Sequence, residues 1–143
     1  MDQIESARAR VEQANGLPAI IDAAYNAFEQ MLAVITCQQD SGGGAFAAFV
    51  ISGTAAANGR DALAAAPSLP VTSGELARMA SQPASDLSAE DAAAVLADLS
   101  QLLFRRLTDA SDHTVGHPDQ VACVQAAGHA ANVCSLLGGT PEP

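Results

Sequence analysis

The stretch whose reading decides the fold runs from Ser88 to Asp109: SAEDAAAVLADLSQLLFRRLTD. It opens as helices open. Asp91 stands three residues after Ser88, the spacing of a capping box, and Glu90 and Asp91 place negative charge on the positive end of the helix dipole. Val95, Leu96, Leu99, Leu102, Leu103 and Leu107 then recur at helical spacing. Asp98, Gln101, Arg105, Thr108 and Asp109 fall on the opposite side, with Arg105 and Asp109 four apart. A helix with one apolar stripe requires neighbours that bury it.

The sequence on either side supplies them. Residues 2–14 predict a short helix with Ile4, Ala7, Val11 and Ala14 on one face, stopped by Asn15-Gly16. Pro18 suits the first turn of a second helix, where its missing N–H has no helical partner to lose. That helix is expected to reach about Gln39. Ile21, Ala24, Phe28, Met31, Leu32 and Ile35 form its stripe, and Ala23, Ala27 and Val34 widen it enough to make the helix central. After the SGGG run at 41–44, a third helix is expected from near Ala45, carrying Phe46, Phe49, Val50 and Gly53 along one side. Gly53 leaves room for a close helix contact, and Asn58-Gly59 reads as a kink or an end before Arg60 to Ala66.

Residues 67–87 are rich in Pro, Ser and Gly and read as a connecting segment. The capping-box spacing of Thr72 to Glu75 predicts a short helix over roughly 73–81 within it. A last helix is expected from Pro118 to about Leu137, closed by Gly138-Gly139, with residues 138–143 as a frayed tail. No stretch alternates as a strand does, and no internal repeat is visible. Residues 1–143 are therefore read as one all-α domain, a bundle of five to six helices.

Composition agrees with this reading. The chain has four Phe, one Tyr and no Trp, so its core is aliphatic and alanine-rich, which suits closely approaching helices. All six basic residues are arginine, and with so much alanine this is the bias of a GC-rich bacterial coding sequence. Sixteen acids give a formal net charge of −10. Phosphate backbones and anionic membranes demand positive surfaces, so neither nucleic acid nor membrane is expected as a partner. The start MDQIESARAR lacks an apolar run behind basic residues, and AFAAFVISGTAAA (45–57) is too short to span a bilayer. Three cysteines without a visible leader read as reduced thiols, and a cytoplasmic protein is expected.

The stretch 112–134 holds all three histidines and two of the three cysteines. His113 and His117 are four apart, but Gly116 and Pro118 disturb the helical geometry that would bring them together. Both are placed in the turn before the last helix, with His117 near its N-cap. Cys123 and Cys134 share a face within about 20°, yet lie about 16 Å apart along the axis, too far for one metal or a disulfide. With Ala127 and Ala130 they form a small-residue packing stripe. No metal site and no cofactor is assigned. HTVGHPDQV (113–121) resembles the closing histidine helix of DinB-like metal-binding bundles; those also carry a histidine on an earlier helix, and here none precedes His113, so that family is not assigned.

Two clusters remain for function. Gln125, His129 and Asn132 lie within about 60° on the last helix. They form either a solvated face or a polar cluster in a cavity, where His129 would serve as acid or base. On the second helix Tyr25 sits beside Asp22 and Glu29, and Glu29 at the edge of an apolar pocket would serve as a general base. The first function expected is a small-molecule-binding bundle, whether or not it is an enzyme; if it is one, His129 and Glu29 are the acid/base candidates. Tyr25, Phe46, Phe49, Gln125 and Asn132 would line its cavity, between the second, third and last helices. The alternative is a non-catalytic protein-interaction or regulatory module, docking on a protein partner or on itself as a homodimer. The small-residue stripes and the acidic surface motivate that alternative.

Overall fold

The structure is a computed structural model and describes residues 2–41, 46–67, 88–114 and 116–138. Among these it contains five α-helices and no strand: α1 (Asp2–Gln13), α2 (Leu17–Ser41), α3 (Phe46–Ala64), α4 (Ala89–Asp112) and α5 (Asp119–Leu136). The short helix expected over 73–81 lies outside the described residues.

Each start and stop has a local cause. Gly16 takes φ of 90°, a left-handed conformation that ends α1 without strain on a side chain. Leu17 and Pro18 then open α2. The Ser88 Oγ accepts the Asp91 N–H at 3.1 Å, closing the expected cap of α4. At the far end the His113 backbone N–H returns to the Asp109 and Ala110 carbonyls, both at 3.2 Å.

Packing follows from the stripes. Helices α2, α3, α5 and α4 form a ring in which each packs on the next, and α1 covers the groove between α2 and α4. Phe28 meets Gly59, Ile35 meets Gly53 and Gln39 meets Phe49, so α2 and α3 run antiparallel with steady register. Arg8 reaches Asp98, while Arg106 reaches Val11 and Ala14, so α1 runs parallel to α4. Gln120 reaches back to Ser111, and Asp98 lies by Cys134, making α4 and α5 antiparallel. Since α1 turns back into α2 across Asn15-Gly16, every neighbouring pair in the ring is antiparallel, α3 and α5 included.

The core takes Ile21, Phe28, Met31 and Ile35 from α2, Phe49 and Leu63 from α3, and Leu96, Leu99, Leu103 and Leu107 from α4. Helix α5 contributes mostly small groups: Cys123, Ala126, Ala127, Ala130, Val133 and Cys134 are all buried. Small side chains let its axis come close to α3 and α4. One expectation is corrected. Asn58-Gly59 neither ends nor breaks α3, which continues to Ala64. A Cβ at Gly59 would stand 2.6 Å from two ring atoms of Phe28. The glycine is there so that the phenyl ring can lie against the backbone, and this packing outweighs the weak helix propensity of the pair. Gly53 makes the expected close approach, its missing Cβ 3.2 Å from Ile35.

Candidate functional site

Among the described residues, neither of the two clefts that they line gathers the residues singled out in the sequence. Tyr25 and Phe49 are core residues, 9% and 1% exposed. Glu29, on the same helix as Tyr25, accepts from Arg60 Nη1 at 3.1 Å, so its carboxylate ties α2 to α3. Phe46 opens α3, and its side chain lies outside the described residues. Gln125 and Asn132 are exposed and His129 between them is half-buried. The polar stripe of α5 thus faces outward from the ring, away from Tyr25 and Glu29.

That outward face has a property of its own. Residues 46–59 of α3 and 120–136 of α5 contain no Asp, Glu, Lys or Arg. Every large hydrophobic side chain that is exposed among the described residues stands on these two helices: Val50 and Ile51 on α3, Val121, Val124 and Leu136 on α5. Ile51 and Val124 are each 53% exposed and Val121 62%. Because α3 and α5 are antiparallel neighbours, the result is one uncharged surface two helices wide. Val50, Ile51 and Leu136 mark one end of it and Val121 and Val124 the other, with His129 near the middle. Arg60 and Asp61, paired at 3.2 Å, bound the α3 side.

The opposite flank is charged. Arg8 bridges Asp98 at 2.7 Å and also holds Glu12, joining α1 to α4. Arg106 sends Nε to the Val11 carbonyl at 3.2 Å and Nη2 to the Ala14 carbonyl, which satisfies the end of α1. Beside it opens a cleft of about 410 Å³, lined by Asn15, Leu17, Ile20, Arg106, Asp109 and His113 among others. In it His113 Nδ1 lies 2.8 Å from the Asp109 carbonyl and 3.6 Å from its carboxylate. The hydrogen bond to that carbonyl, then the charge of Asp109, hold the imidazole above its ordinary titration range. Sequence reasoning assigned His113 only to a turn. Nothing local could have found the cleft, because its walls come from chain segments about ninety residues apart.

At the start of α5, His117 Nδ1 accepts the Asp119 N–H at 3.2 Å and lies 3.1 Å from the Asp119 carboxylate. Asp119 is fully buried. Burial, helped by the charge of Asp119, pushes the Cys123 thiol up to about 11. Burial and then Asp98 raise Cys134 as well. Both sulfurs are packing groups at neutral pH and poor nucleophiles. Among the described residues no three His, Cys, Asp or Glu side chains converge as metal ligands would. None of the described helices is long and apolar enough to cross a membrane. Comparison with protein-family models, with curated proteins and with solved structures finds no match to this chain.

Proposed function

We propose that this chain is a non-catalytic protein-interaction module whose working surface is the uncharged outer face of α3 and α5. One observation carries the reading: all five large hydrophobics exposed among the described residues stand on those two neighbouring helices. Water disfavours such a surface, and monomeric proteins rarely leave large apolar patches open without use. His129, Gln125 and Asn132 supply uncharged hydrogen-bonding groups within it, which suits the mixed character of interface cores. The test is an apolar dye, bis-ANS, titrated against the wild type and a Val121→Glu, Val124→Glu variant. The reading expects dye binding to fall severalfold in the variant at unchanged helix content. Equal binding by both proteins, compared at a dilution where each is a single chain, would remove it.

A second reading keeps small-molecule binding and moves it to the cleft beside Arg106. Its volume falls within the range of ligand sites, and it combines an apolar floor of Leu17 and Ile20 with Arg106, Asp109 and His113. A thermal-shift screen that finds a ligand whose effect vanishes in His113→Ala supports it. A hit unaffected by that change speaks against the cleft.

A further inference from the structure

We infer that the partner of the α3–α5 face is a second copy of this chain. The inference rests on the interaction reading above and adds the identity of the occupant.

The argument begins with charge. The chain carries a net charge of −10, and the acids that accompany α1 and α4 (Glu5, Glu12, Glu90, Asp91, Asp98, Asp109) are exposed. A twofold dimer sets the same patch against itself, so any charge on the patch meets its own like. Two copies meeting through the α1–α4 flank would bring acids together at short range, where salt screens them least. The uncharged run of α3 and α5 is the part of the described surface where two such copies approach without that opposition. A different protein recognised here would find no charge of either sign to guide or register it, although complementary charge is how most specific partners are steered. A self-complementary apolar patch needs none.

Size is sufficient. The uncharged 14 residues of α3 and the 18 residues of α5 are about 21 and 27 Å long, and two helices at ordinary spacing are about 20 Å across. The flat projection of such a face is about 500 Å², and its side-chain ridges bring it to the ~600 Å² per partner at the low end of specific interfaces. Its edges are marked by charge, at Arg60 and Asp61 on one side, as interface rims are.

Sedimentation equilibrium over a wide concentration range tests this on the intact chain. Wild type is expected at twice the 14.4 kDa chain mass. Val124→Glu and, independently on the other helix, Ile51→Glu each place a carboxylate in the interface and should weaken association by about a hundredfold or more. Both side chains are already half in solvent, so the variants should keep the wild-type circular dichroism. Ala94→Glu, on an exposed position of α4, should leave the dimer intact. A wild type that stays monomeric overturns self-pairing, as does a dimer indifferent to both interface variants. If the wild type is monomeric yet loses dye binding in the Val121, Val124 variant, self-pairing fails while the interaction reading stands. If dye binding is also indifferent, both fail.

Discussion

Phe28 and Gly59 show how one side chain can dictate the backbone opposite it. Alanine in place of a helical glycine ordinarily adds about 0.5–1 kcal/mol of stability. Here the new methyl group would meet the ring at 2.6 Å, so Gly59→Ala is expected to cost about 1–3 kcal/mol instead. Urea unfolding measures the sign, and combining it with Phe28→Leu should recover most of the loss, because the coupling is between those two groups. His113 makes a prediction of the opposite kind, since it is exposed and acts through charge. Its pKa is raised above 6.5 in the folded state, by the Asp109 carbonyl and then the Asp109 and Asp112 charges. A raised pKa means the folded protein holds the proton more tightly than the unfolded chain. The stabilisation is therefore complete below about 6.5 and is lost as pH rises through the folded value. In His113→Gln the unfolding midpoint should lose this gain on the acid side, while NMR of the wild type should show a midpoint for His113 above 6.5.

At the scale of the element, helix α1 depends on α4 more than on its own length. Twelve residues make a marginal helix in isolation. Ile4, Ala7 and Val11 bury its inner face, and Arg106 holds its last carbonyls. Arg106→Met keeps the packed stem and removes those hydrogen bonds, at an expected cost of about 1–2 kcal/mol. Hydrogen exchange should locate the loss in α1, with the amides of α3 and α5 unchanged. Uniform acceleration across all helices would contradict this division. Much of this scale was legible in the sequence. The Ser88 cap, the Gly16 stop, the leucine stripe of α4 and the Cys123–Cys134 packing stripe all follow from local chemistry and helical period, which the sequence states directly. Where reading failed, at Asn58-Gly59, the contact of Gly59 with Phe28, far off in the chain, outweighed the local signal.

The whole molecule is polar in a way no single helix reveals. A helix apolar around most of its circumference is ordinarily buried, and α3 and α5 both look like core helices when read alone. Only their pairing in the ring, at its edge and side by side, turns that composition into an uncharged surface facing out. The same limit applies to His129 and Glu29: a wheel gives direction around a helix, and the neighbours that made one an outer-face residue and the other the partner of Arg60 lie elsewhere in the chain. The cleft beside Arg106 was invisible for the same reason. The charged α1–α4 flank and the neutral α3–α5 face together form the basis of the interaction reading.

Native mass spectrometry of the intact protein tests self-pairing through that neutral face most directly. The account predicts twice the 14.4 kDa chain mass with no added increment, falling to the single chain in Val124→Glu. A wild type seen only as one chain, or one that carries a bound organic mass at the expense of the dimer, would contradict it.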